Sequence, residues 1–283
     1  MNETPKPFAS VAPSQQRQTA MEINSIGLNR VPFPIWAAVA TADGVTVGDL
    51  GPLTVSELSS VVSQRFNGLA LLFAVERAAY MRDEPMAAQT LGLAQELSIV
   101  GGKVQPVGPD EVLIDFADLP AAVADLYSWG YKLASVPSGV DPLDVWASLD
   151  SNDWTIAPAI RATPNVELFV DSHDDCYLHV ETRRPEVMSD LIALLLATAA
   201  SVAWHRTNAD TEATITVPSS DTVARLLGEV GRLVIDQRNI EVRENSIRLP
   251  FARERWTLAT PVVLPTSVVT YDVAAGSWAS DTK

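Results

Sequence analysis

Apolar and polar positions alternate most clearly in two stretches, and each reads as a β-hairpin. In IWAAVATADGVTV, residues 35–47, Asp43-Gly44 separates two apolar runs. Both central positions of a type I′ turn need positive φ, which Asp tolerates and Gly adopts freely. That turn sets the register: Ala42 opposite Val45, Thr41 opposite Thr46 and Ala40 opposite Val47. In NVELFVDSHDDCYLHVETR, residues 165–183, Val166, Leu168, Val170, Cys176, Leu178 and Val180 share one face if a loop of three or five residues joins the strands.

A helical period follows each hairpin. Leu58, Val61, Val62, Arg65 and Phe66 give the spacing of a helix from about Ser56. The apolar stretches 68–81 and 85–98 predict two more helices, closed by Gly101-Gly102. After the second hairpin, 185–203 is a helix apolar on almost every side, and TEATITV (211–217) reads as a strand. Ser219, Ser220 and Asp221 then cap a helix whose stripe is Val223, Leu226, Leu227, Val230, Leu233 and Val234.

EVLIDFADLPAAVADLYSWGYKLASV (111–136) reads as strand, helix, strand. Asp118 can accept from orphan amides as N-cap, Pro120 is tolerated in the first turn, and Gly130 stops the helix. IEVRENSIRLPF (240–251) is a further hairpin with Glu241 opposite Arg248, and WTLATPVVL and SVVTYDV add strand-like segments. Between them, 135–164 holds Pro137, Pro142, Pro158 and Pro164 with little periodicity, the mark of a linker. Its Trp146 and Trp154 carry enough apolar area to pack against something.

The element order predicts an α+β protein of two sheet-plus-helix halves, each running hairpin, helix, strand, helix, strand, as a pseudo-duplication would. The divisions are a tail 1–22, an N-terminal domain 23–136, the linker 137–164, a C-terminal domain 165–273 and a polar tail 274–283. A single sheet shared by both halves is the rival architecture.

Composition narrows the function. With 47% hydrophobic and 19% charged residues among 283, the chain can bury a core. Its net charge of −15 opposes nucleic acid as the main partner. The charge is concentrated: from Asp83 to Asp175 sixteen acids face Lys103, Lys132 and Arg161. One cysteine, Cys176, makes no internal disulfide and excludes zinc sites built on two thiolates, which fits a cytoplasmic protein. The N-terminus lacks the basic start and apolar stretch of a signal peptide. The run 191–204 is shorter than the about 20 residues that span a bilayer, so a core helix is expected and no membrane partner.

Candidate chemistry is sparse. GGKV (101–104) lacks the spacing of a phosphate-binding loop, and there is no His-Glu-x-x-His or Gly-x-Ser-x-Gly. His173, Cys176 and His179 suggest metal spacing, but on a strand Cys176 and His179 face opposite ways. Cys176 then reads as a small buried hydrophobe, and His179 as the partner of Glu167, which raises its pKa. Asp171, Asp174 and Asp175 read as a polar turn rather than a cation loop, and His205 as a helix C-terminal cation. No catalytic, cofactor or metal residue is assigned.

Two groups remain as partner-binding candidates. Trp129, Tyr131, Trp146 and Trp154 mark the junction between halves, and tryptophan is enriched at binding hot spots. Arg243, Arg248, Arg253 and Arg255 belong to seven arginines over 225–255 that five acids accompany; an ion-paired surface is the simpler reading and an anion-binding surface the other. The sequence favours a non-enzymatic protein-binding or adaptor protein with an acidic middle surface, a basic partner and possible self-association. A small-molecule sensor or enzyme with a pocket between the halves, and a self-assembling component, are the alternatives.

Overall fold

A computed structural model describes residues 35–51, 53, 55–74, 104–108, 111–123, 131–150, 159–161, 163–173, 177–208, 213–227, 232–256 and 261–281. The helix expected over 85–98, and Trp129, Gly130, Trp154, Asp174, Asp175 and Cys176, lie outside these residues.

The Asp43-Gly44 turn forms as its chemistry requires, with φ of 53° and 75°. It joins β1 (Ile35–Ala42) to β2 (Val45–Gly51) in the predicted register. The second hairpin pairs β7 (Leu168–His173) with β8 (Tyr177–Thr182), His173 opposite Tyr177. In the first half the remaining strands are β3 (Leu69–Ala74), β4 (Val104–Pro106), β5 (Glu111–Asp115) and β6 (Tyr131–Ser135). In the second they are β9 (Arg232–Ile235), β10 (Glu241–Arg243), β11 (Ser246–Trp256), β12 (Pro261–Asp272) and β13 (Ser277–Asp281).

All of them join one antiparallel sheet of 13 strands, ordered β13-β12-β11-β9-β1-β2-β8-β7-β6-β3-β5-β4 with β10 also on β11. The architecture is α+β with one shared sheet, not one sheet per half. β2 pairs with β8, so the hairpins meet in the centre, and each hairpin's outer strand pairs with a strand of the other half: β1 with β9 and β7 with β6. The two halves have exchanged hairpins.

The helices are α1 (Val55–Arg65), α2 (Leu119–Val123), α3 (Pro142–Asp150), α4 (Pro185–Thr207) and α5 (Ser220–Leu227). α4 is long and apolar enough to cross a bilayer, but 83% of its most apolar window is buried in the protein. It lies across the sheet centre, where Gly48 on β2 leaves room for Met188 that any Cβ would fill. Asp190 ties α4 to its neighbours, accepting from Arg65 Nε on α1 and from Ser220 Oγ on α5, each at 2.6 Å. Leu50, Ala70, Leu72, Leu133, Val170, Val180, Leu233 and Leu249 bury their side chains in the same large core.

Three sequence expectations are corrected. Residues 68–81 were expected to be helical, yet 69–74 form β3: Ala70 and Leu72 pack into the large core while Leu71 is buried as well, so the strand shows no alternation. TEATITV is not a strand over its described part, 213–217; its backbone bonds to side chains instead. Tyr271 Oη donates to Thr214 O at 3.0 Å, and Trp278 Nε1 donates to Thr216 O at 2.6 Å. The stretch 274–283, read as a polar tail, contains β13.

The opposite face of the sheet has a second, smaller core of Val45, Ala134, Val145, Leu149, Ala159, Ile160, Val166 and Phe169. The stretch 137–164 supplies its cover: α3 and a 3-10 turn, Ala159–Arg161. α3 presents Val145 and Leu149, one turn apart, to the sheet.

Candidate functional site

Residues paired across adjacent strands share a face, so the register places Asp49, His179, Asp171, Lys132, Phe73 and Glu111 in one row across β2, β8, β7, β6, β3 and β5. The row runs along the face that carries the smaller core. Its centre is His179, whose partner is not Glu167: Glu167 sits at the start of the β7 hairpin and pairs with Arg184 instead. His179 Nδ1 lies 2.7 Å from Asp49 Oδ1, and Nε2 lies 3.1 Å from Glu181 Oε1.

Burial alone pushes the His179 pKa down, but the hydrogen bonds to Asp49 and Glu181 outweigh it and raise it to about 9. Only the doubly protonated ring can donate at both nitrogens. His179 is therefore an imidazolium with no lone pair left to take a proton or bind a metal. Glu181, 1% exposed, also accepts the N–H groups of Ala159 at 2.8 Å and Ile160 at 2.9 Å. Arg183, just past the end of β8, donates Nη2 to Ile160 O at 2.9 Å and Nε to Val166 O at 3.0 Å. The end of β8 and the residue after it thus grip both sides of the 3-10 turn: Glu181 takes its donors and Arg183 its acceptor. Among the described residues no group of three or more His, Cys, Asp and Glu is arranged to hold a metal ion.

Beyond the clamp the row meets α3. Trp146 packs on Phe73 with ring centroids 4.1 Å apart, and Lys132 Nζ sits 5.3 Å from the Trp146 ring centre. Tyr131 is 3% exposed and belongs to the large core on the other face, so the sheet separates these two junction aromatics.

At the end of α3 nearest β3, three large hydrophobic side chains face solvent: Leu69 at 42%, Val140 at 39% and Leu143 at 47% exposed. Leu69 begins β3 beside the end of β6, where Val136 N–H donates to Leu69 O at 2.9 Å. From there the chain turns through Gly139, at φ 78°, and enters α3. Leu69 neighbours Ala70, which faces the large core, so Leu69 lies on the α3 side of the sheet. Val140 and Leu143 follow within seven residues of Val136, the residue bonded to Leu69. Exposed acids accompany them: Asp115 opposite Leu69 in the ladder, and Asp141 and Asp144 on α3 and its approach. Residues 137–150 hold no Lys or Arg.

The arginine candidates lie near the other end of the sheet. Arg243 Nη2 and Arg248 Nη1 both bond Glu241 Oε2, at 2.8 and 2.9 Å, in the predicted hairpin register. These bonds hold the Glu241 carboxyl below its ordinary pKa, the Arg243 contact first. Arg253 and Arg255 lie farther along β11, opposite Leu264 and Val262. A cavity of about 100 Å³ opens where the end of α4 meets β10, lined by Ala199, Val202, Ala203, Arg206, Ile240 and Val242 among others. His205 lies in the last turn of α4.

The exposure of Leu69 and Leu143 escaped sequence reading because Leu69 sits in a stretch with a helical appearance and Leu143 in a linker. Its one signal was the apolar α3 segment among acids. Asp49 and Glu181 had no local signal, because the clamp forms only when β2 meets β8. No protein-family model, curated protein or solved structure matches this chain.

Proposed function

We propose that the protein is a non-enzymatic binding module, and that the corner made by the start of β3, the turn 137–141 and α3 docks an apolar, basic segment of another protein. The observation that carries this reading is the exposure of Leu69, Val140 and Leu143, the large hydrophobic side chains exposed among the described residues, with Asp115, Asp141 and Asp144 exposed nearby in sequence or ladder. Single exposed hydrophobics are ordinary, so the reading takes these three as one surface, the kind that marks an interaction site when polar groups surround it. The apolar centre supplies affinity, and Asp115, Asp141 and Asp144 steer a cationic partner in a salt-dependent way. Trp146, held on Phe73 and Lys132, gives α3 a rigid seat beneath the corner.

The shared hairpin-then-helix order, β1-β2-α1 and β7-β8-α4, supports as part of this reading an origin of both halves from one unit. Cytoplasmic placement is part of the same proposal, motivated by the single cysteine.

The test compares affinity purifications of the wild-type chain and the L69S/L143S variant from the native host, followed by reconstitution with the purified partner. The expected result is a protein retained by the wild type, lost by the variant and released by salt. Identical sets of co-purifying proteins would refute the reading.

A further inference from the structure

Among the described strands, three leave one edge unpaired: β4, β10 and β13. Such edges template further pairing unless short length, Pro, charge or a bulge blunts them. β4 has three residues and ends in Pro106, which has no N–H to offer. β10 also has three, two of them the charged Glu241 and Arg243. β13 differs: five residues, SWASD, with no Pro, Lys or Arg, and no irregularity in its ladder with β12.

β13 is also ordered in advance. Trp278 lies 4.9 Å from the Tyr271 ring, its Nε1 bonds Thr216 O, and Thr216 Oγ1 donates to Gly276 O at 3.0 Å. The strand therefore gives up little conformational freedom when a new strand is added.

From this edge we infer that β13 is a dimerisation strand that pairs antiparallel with β13 of a second copy, about a two-fold axis at Ala279. The occupant follows from self-complementarity. With Ala279 opposite itself, Ser277 meets Asp281 of the second copy and Trp278 meets Ser280. No like charges are opposed, and the residue at the axis is small and exposed. The contact fuses two 13-stranded sheets into one. It lies at the opposite end of the sheet from the corner at β3 and α3, so it is independent of the reading proposed for that corner.

Sedimentation velocity on the full chain from about 1 to about 200 µM tests it, because association must follow mass action. The wild type is expected to pass from monomer to dimer. A279K and A279E place like charges face to face at the axis, and each is expected to weaken association by at least about tenfold. Mixing A279K with A279E in equal amounts is expected to restore the dimer, and A279T to keep it. Ala279 is exposed, and unchanged circular dichroism and melting of the variants would show that folding is not the cause. A wild type monomeric throughout would overturn the inference. So would an A279K protein that dimerises as the wild type does, or a mixture that fails to restore association.

Discussion

The two faces of the sheet are covered by different physics. On one face α4, flanked by α1 and α5, buries side chains around its whole circumference, and the core beneath it reaches from β5 to β12. On the other face, among the described residues, the cover is α3 and one 3-10 turn, whose Val145, Leu149, Ala159 and Ile160 make up half of an eight-residue core, and polar contacts from Glu181 and Arg183 fasten it. A long apolar helix needs no particular polar partner, since area alone orders it. A short cover buries too little area and depends on individual hydrogen bonds.

Four measurements sharpen this contrast. The largest effect is expected from E181A, which leaves two buried N–H groups unbonded and removes one partner of the His179 imidazolium. Urea unfolding is expected to show a loss of about 3–5 kcal/mol. Amide exchange at Ala159 and Ile160 is expected to speed up before the rest of the sheet; uniform loss of protection would erase the distinction between faces. L195A in α4 is expected to cost about 2–4 kcal/mol through its cavity, but with protection lost across the whole sheet.

The third measurement is pH. The His179 pKa is raised from 6.5 to about 9, so its stabilisation is complete below about 6.5 and disappears as pH climbs through about 9. It amounts to at most about 3 kcal/mol. The stability gap between wild type and H179Q is expected to be widest near pH 6 and to close by about pH 10. A gap independent of pH would mean that the ring is held by packing alone. Last, D49N is expected to cost only about 1 kcal/mol, because Asp49 is 41% exposed and water screens its charge. It is also expected to lower the His179 pKa, which proton NMR of the ring would read directly.

What could be read in the sequence was whatever local chemistry determines. Asp43-Gly44 dictates its own turn and hence the β1-β2 register, Ser219 bonds the amide of Thr222 at the start of α5, and Glu241 meets Arg248 within one hairpin. β3 was misread because a strand buried on both faces is as uniformly apolar as a buried helix. Residues 213–217 have strand composition, but their partners are Tyr271 and Trp278, more than fifty residues onward. The clamp was illegible for the same reason: Asp49 and His179 are 130 positions apart, and only the β2-β8 pairing joins them. The acidic character of the middle segment was visible, whereas the corner it borders required knowing that 69–74 is a strand.

The exchange of hairpins also sets a timetable. β1 leaves the ribosome well before its outer partner β9, which begins at Arg232. At typical synthesis rates that interval is about 10–40 s, and the β1 edge of the first hairpin stays open throughout it. The sheet therefore closes only after most of the chain has been made, through contacts of long sequence separation that fold slowly. Until then, the chain's own aggregation hazard lies at its future centre, where the finished sheet hides it best.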